Sequence, residues 1–184
     1  MSASATPRIV YVNGRYCPLE EATVPIMDRG FLFGDGIYEV TAVLDGKFID
    51  NEPHLERLDR SLQAIGIRNP HTIAEWTVIQ RELVKRNNLV EGSVYIEVTR
   101  GVFEREFTCP PDIAPTVVMF TQVRSLRENP GVKAGVSVIT VPDLRWARRD
   151  IKSVALLAQV LGLELGRTDV HVQSIQCTPA QLVY

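Results

Sequence analysis

Residues 143–153, DLRWARRDIKS, gather Arg145, Arg148, Arg149 and Lys152 against Asp143 and Asp150 and run straight into Val154, Ala155, Leu156 and Leu157. A lysine at the border of an apolar run sheds water, and neighbouring cations repel its proton, so both effects favour the free amine. A free amine can attack an aldehyde carbon to form a Schiff base, and can afterwards act as a general base. The same composition also describes a solvated basic face. It would suit a general phosphate binder as well, although no glycine-rich loop leads here into a helix N-terminus. Residues 28–40, DRGFLFGDGIYEV, form the second segment of interest, with Gly30, Gly34 and Gly36 set among Phe31, Phe33 and Tyr38. Glycines this dense let a backbone turn sharply or pass close to another group, while aromatic neighbours anchor it. A structural turn between strands would use the same residues. The spacing is not a dinucleotide fingerprint, which needs G-x-G-x-x-G at a strand-to-helix junction.

The rest of the composition narrows the function classes. With 184 residues, 45% hydrophobic and 23% charged, the chain has room for one domain, or a small domain and part of another, and is neither disordered nor fibrous. A net charge of −2 removes the broad attraction for phosphate backbones, so no nucleic-acid partner is expected. No stretch approaches the ~20 apolar residues of a spanning helix. The start, MSASATPR, lacks the apolar middle of a secretory signal, and the expected address is the cytoplasm, with no membrane partner. Cys17, Cys109 and Cys177 form no CxxC pair, and His54, His71 and His171 share no metal-ligand spacing. Inert thiols and surface or capping histidines are expected, with no metal site.

These segments must be positioned by the elements around them. Asn13-Gly14 and Asp45-Gly46 tolerate the positive φ of two-residue turns and predict two hairpins, so the first 50 or so residues read as antiparallel β. Pro53 precedes Leu55, Leu58, Leu62 and Ile65, spaced as on one helical face, before Gly66. A second helix is predicted from about Thr72 to Asn88, with Trp76, Ile79 and Leu83 on one stripe. Val94, Ile96 and Val98 alternate with polar residues, and 116–123 and 132–141 are further β-branched runs. The sum is a mixed α+β chain with no repeat. Residues 1–122 read as a small domain and the polar stretch 123–131, containing Pro130-Gly131, as a linker; 132–184 would open a second unit. Beyond Gly162 the composition shifts, with only Glu164, Arg167 and Asp169 charged and a short strand expected at 170–175.

Taken in order, DRGFLFGDGIYEV, HLERL at 54–58, VTRG at 98–101 and DLRWARRDIKS resemble the fold-type IV pyridoxal-phosphate aminotransferases over roughly residues 8–161. FGDGIYEV is most similar to the D-amino-acid (D-alanine) aminotransferase branch. The resemblance implies a complete small N-terminal α/β domain followed by an incomplete β-rich large domain. It implies pyridoxal 5'-phosphate as cofactor, amino-acid and 2-oxo-acid substrates, and a homodimer. By the same resemblance, Lys152 in DIKS forms the cofactor aldimine and moves the catalytic proton. Arg57 in HLERL grips the cofactor phosphate, as a permanently charged guanidinium with several fixed donors can. Tyr38 in GIYE lines the substrate side of the site, and Arg105 binds the substrate carboxylate.

Two departures from the family pattern matter. Where D-amino-acid members carry an arginine and a histidine after VTRG, this chain has Arg105 and Phe107, so one carboxylate donor is replaced by a ring. The resemblance also stops at Gly162, short of the acid that the family sets at the pyridine nitrogen, so a truncated or frame-shifted member is expected. The implied function is transfer of an amino group between a D-alanine-like amino acid and a 2-oxo acid. Two alternatives stay open: a branched-chain L-amino-acid aminotransferase, and an inactive remnant keeping only the small domain and its dimerisation surface.

Overall fold

The computed structural model describes residues 7–128, 135 and 147–165. The chain divides into two compact units, one of residues 1–126 with 150–155 and one of residues 127–149 with 156–184. In the first unit six strands form one antiparallel sheet: β1 (Ile9–Val12), β2 (Arg15–Pro18), β3 (Gly36–Leu44), β4 (Lys47–Phe48), β5 (Glu91–Thr99) and β6 (Thr116–Val123). Their spatial order is β2-β1-β6-β5-β3-β4. Both expected hairpins are present, and Asn13, Gly14, Asp45 and Gly46 all take positive φ. Helices α2 (Asn51–Ala64) and α3 (Ile73–Arg86) follow the second hairpin. Thr72 caps α3 reciprocally with Glu75, which satisfies two N–H groups of its first turn.

Side-chain alternation sorts the sheet into two faces. Ile37 and Val43 of β3, Val94, Ile96 and Val98 of β5, and Val117 and Met119 of β6 are buried in one core with Leu55, Leu58 and Leu62 of α2 and Trp76 and Leu83 of α3. Tyr38, Tyr95 and Phe120 lie at alternate positions and so turn to the opposite face. In the second unit the described helix is α4 (Leu157–Leu165). The expected strands at 132–141 and 170–175 fall almost entirely outside the described residues. No helix among the described residues is long and apolar enough to cross a membrane.

The first 50 residues are not β throughout. DRGFLFGDG contains a short helix, α1 (Arg29–Phe33), between the hairpin region and β3. Asp28 caps it by accepting from the Gly30 N–H at 2.8 Å through Oδ1, while Oδ2 accepts from the Thr99 hydroxyl at 3.0 Å. Gly34 ends the helix in the left-handed region, where a side chain would be strained. Gly30 serves another purpose: a Cβ there would overlap the Thr99 side chain. The residues of a plain turn are thus used to press a helical turn against β5.

A charged network fixes the other side of α1. Asp35 Oδ2 accepts from Arg29 Nε at 2.8 Å and from Arg100 Nε at 2.7 Å, and Oδ1 accepts from Arg100 Nη2 at 3.0 Å. Arg100 also donates to the Ile65 and Gly66 carbonyls beyond α2. Burial alone would raise the Asp35 carboxyl, but the Arg100 and Arg29 hydrogen bonds and charges outweigh it and hold the group below its ordinary value.

Two outcomes follow for stability. Gly30→Ala lowers the urea unfolding free energy by about 1–3 kcal/mol through overpacking, and adding Thr99→Ser, which removes the opposing methyl, recovers part of the loss. Since the folded-state value of Asp35 is depressed, its stabilisation is present above the ordinary carboxylate range and disappears as pH falls through the folded value. Asp35→Asn therefore costs about 1–3 kcal/mol at pH 7. Urea midpoints of the variant fall less steeply than those of the parent as pH drops below about 4, so the two curves approach each other in acid.

Candidate active site

Lys152 reaches the site through main-chain pairing. The Tyr38 N–H donates to the Lys152 carbonyl at 3.0 Å and the Val154 N–H to the Gly36 carbonyl at 3.1 Å, with Ile37 and Ser153 bridged antiparallel. β4 pairs only with Val43 and Leu44, so the opening residues of β3 present an edge that this segment fills. Ile151 enters the core beside it, and the Lys152 N–H lies 3.5 Å from the Ser61 hydroxyl of α2. The Lys152 Nζ stands 3.9 Å above the centre of the Tyr38 ring, a cation–π position. Among the described residues the amine has no carboxylate partner. Arg148 and Arg149 are exposed, and Arg145 lies outside the described residues.

Glu39, next in sequence to Tyr38, points to the other face of the sheet and is fully buried. It accepts from Arg57 Nε at 2.6 Å and Nη2 at 2.8 Å, and His54 Nδ1 lies 2.8 Å from its Oε2. These bonds hold the Arg57 guanidinium above its ordinary value, against the opposing effect of partial burial, and Tyr38 is near enough to add to the shift. Glu39 occupies one edge of the guanidinium fork, and Nη1 has no hydrogen-bond partner among the described residues. That is the geometry needed to offer a donor to a phosphate oxygen while the arginine stays fixed.

The opposite face of the sheet carries a row of rings. Tyr38 stacks on Tyr95 at 5.6 Å and Tyr95 on Phe120 at 4.6 Å, with the Arg8 guanidinium 5.3 Å from the Phe120 ring. The Tyr95 hydroxyl donates to Glu97 at 2.8 Å. Burial, with the charge of Glu97 added, pushes the Tyr95 hydroxyl far above its usual range. Burial also raises the Glu97 carboxyl, which the Tyr95 hydrogen bond only partly offsets.

Three of the four site residues expected from the sequence are thereby set about one dipeptide of β3: Lys152 against Tyr38 on one side, and Arg57 on Glu39 on the other. Arg105 stands apart. It is exposed in the loop after β5, and its contact among the described residues is with the Phe33 ring, 5.6 Å away. Phe107, 86% exposed, meets the same ring at 5.7 Å. His54 corrects the expectation of a surface or capping histidine, since it is a partner of Glu39. The signal was the His54–Arg57 spacing, which sets both residues on one helical face, opposite a lone carboxylate at an inward position of β3. Arg29 and Asp35 carried no signal beyond their types. Among the described residues no group of His, Cys, Asp and Glu could hold a metal.

Comparison with known proteins identifies the family. The sequence model of the amino-transferase class IV family matches residues 36–172. A D-alanine aminotransferase of Staphylococcus epidermidis is 42% identical over 156 residues, 84% of this chain and 55% of the relative. One of Staphylococcus aureus is 39% identical over 168 residues, 91% of this chain and 59% of the relative. The chain thus spans a little over half the length of these curated relatives. Among solved structures, the Escherichia coli branched-chain amino acid aminotransferase superposes with a TM-score of 0.79 at 18% identity, over 92% of this chain and 60% of that one. The 4-amino-4-deoxychorismate lyase of Pseudomonas aeruginosa gives 0.68 at 24% identity, over 92% and 61%. At those identities the structures speak for the fold, and the sequence matches speak for descent: this chain belongs to the class IV aminotransferases.

Proposed function

We propose that this protein transfers an amino group between a D-alanine-like amino acid and a 2-oxo acid, with pyridoxal 5'-phosphate held by Lys152 and Arg57. The observation that carries the reading is the Lys152 amine 3.9 Å above Tyr38, with no carboxylate partner among the described residues. The residues fit the cofactor: an amine for an aldehyde, and a guanidinium nitrogen, Nη1 of Arg57, with no partner among the described residues, for a phosphate. The D-alanine aminotransferase relatives, at about 40% identity, favour the D-amino-acid branch. The same reading makes the protein a cytoplasmic homodimer. Its small domain would be 1–122, its linker 123–131, and 132–184 the opening of a larger cofactor-binding domain.

When bound, the cofactor supplies an electrophilic carbon and a ring that accepts electron density from the substrate. The chain's own residues supply position and proton traffic. Pairing of 152–154 with β3 sets the lysine backbone, so the amine searches only its own side-chain rotamers. In this role the Lys152 Nζ would act as the general base that accepts the proton from the substrate Cα and holds it for return. The Tyr38 ring beneath it excludes water from one side of the amine. Glu39 holds the Arg57 fork so that its remaining nitrogen meets the phosphate already oriented. Arg105 receives the substrate carboxylate.

Mixing the chain with pyridoxal 5'-phosphate tests this reading. A visible band that borohydride bleaches, with the label mapped to Lys152 by peptide mass, is expected; Lys152→Ala abolishes the label and lowers transamination by roughly 10²–10⁴-fold. With 2-oxoglutarate as acceptor, D-alanine is the better donor. Preference for L-leucine would move the protein to the branched-chain reading. A band that persists in Lys152→Ala, or no band at all, would overturn the proposal in favour of loose phosphate binding or an inactive remnant.

A further inference from the structure

Arg29 is 6% exposed, yet its function is not explained by the site as described. Each of its three nitrogens has an assigned partner. Nε donates to Asp35, Nη1 donates to the Glu106 carbonyl at 2.5 Å and Nη2 to the Phe107 carbonyl at 3.3 Å. The two carbonyls belong to the residues immediately following Arg105. The Glu106 N–H in turn donates to the Glu104 carbonyl at 2.7 Å, which folds the chain into a three-residue turn with Arg105 at its apex. The front of the loop is tied as well, by the Phe103 N–H on the Met27 carbonyl at 3.3 Å and by the Asp28–Val102 bridge.

We propose that Arg29 is the positioning residue of the substrate-carboxylate loop, holding the turn that presents Arg105. This rests on the reading above that Arg105 receives the carboxylate. A loop without regular structure samples many conformations, and only a fixed one presents a guanidinium in a repeatable place. Arg29 fixes it because a planar fork reaches two successive carbonyls at once while its third nitrogen stays on Asp35. The counter-charge is itself held by Arg100, so the loop is referenced to β5 and to the end of α2. Phe33 forms the other wall: its ring lies 4.8 Å from the Arg29 guanidinium and 5.6 Å from that of Arg105. A lysine at position 29 would keep the charge beside Asp35 but could not span both carbonyls.

Pyruvate, which carries the carboxylate without the amine, is the probe, and its binding is read from the Arg105 Nε–H signal by NMR on the whole chain without cofactor. Arg105→Ala is followed in the same titration through backbone amides of the loop. Arg105→Ala and Arg29→Lys each weaken pyruvate binding by roughly tenfold, and the double variant is no weaker than Arg105→Ala alone, because Arg29 acts through Arg105. A merely structural arginine would lower the unfolding temperature and leave the affinity of the folded protein unchanged. Affinity within twofold of the parent in folded Arg29→Lys overturns the proposal, and so does an equal further loss on top of Arg105→Ala. If pyruvate leaves the parent's Arg105 signal unmoved, the carboxylate role and this inference fall together. If the pyruvate pattern holds but no borohydride-sensitive band forms with pyridoxal 5'-phosphate, the cofactor reading fails and the positioning role stands.

Discussion

Two main-chain hydrogen bonds, Tyr38 N–H to Lys152 and Val154 N–H to Gly36, fix where the Lys152 backbone lies. A sheet edge carries unpaired donors and acceptors that must be satisfied, and β4 is too short to cover the start of β3. The segment 152–154 satisfies them and in doing so carries a lysine from far along the chain onto a tyrosine ring. Once that register is set, strand alternation does the rest. Tyr38 turns to the ring-lined face and Glu39 to the helical one, so a single dipeptide faces the amine on one side and the guanidinium on the other.

Burying a carboxylate is costly unless it is paired and hydrogen-bonded, and the first unit does so repeatedly. Glu39 is fully buried and answered by Arg57 and His54; Asp35 is largely buried and answered by Arg29 and Arg100. Replacing such pairs by apolar groups is often neutral for stability, so their value here is directional. A bidentate arginine has one orientation, and both carboxylates hold arginines whose other nitrogens are turned to a task. For Arg57 that task is offered outward, and for Arg29 it is spent on the chain's own carbonyls.

Local rules were legible in the sequence. Asn13-Gly14, Asp45-Gly46, the helix expected from about Thr72 and the alternation of Val94, Ile96 and Val98 each depend on near neighbours, and each appears in the structure. Lys152 drew notice from its own neighbours, but only the family resemblance joined it with Arg57 and Tyr38, because no periodicity links residues on a helix, a strand and a distant edge segment. The helical turn at Arg29–Phe33 was hidden: five residues that include a glycine and two phenylalanines make a weak isolated helix, and what stabilises the turn is Asp28 at its start and Thr99 on another strand. His54 was misjudged for a related reason. On a helix beginning at Asn51 it sits near the polar end, and only Glu39, reached through the sheet, draws it inward.

The two cationic groups assigned to the substrate are therefore held by different kinds of force, with different consequences. Lys152 is placed by backbone pairing, which is indifferent to most side chains and survives substitution around it. Arg105 is placed by side chains: one guanidinium on two carbonyls, one carboxylate on that guanidinium, and one phenyl ring beneath. A loop without ladder partners leaves few alternatives, since its carbonyls must find donors somewhere and a buried arginine can satisfy two at once. The placement of the Lys152 amine is accordingly the more tolerant of sequence drift around it, and the placement of the Arg105 guanidinium is the less tolerant. The phenyl ring of Phe107 has no hydrogen-bond donor to share such a contact, so under the proposed function the recognition of a substrate carboxylate would rest on a single guanidinium and on whatever keeps it in place.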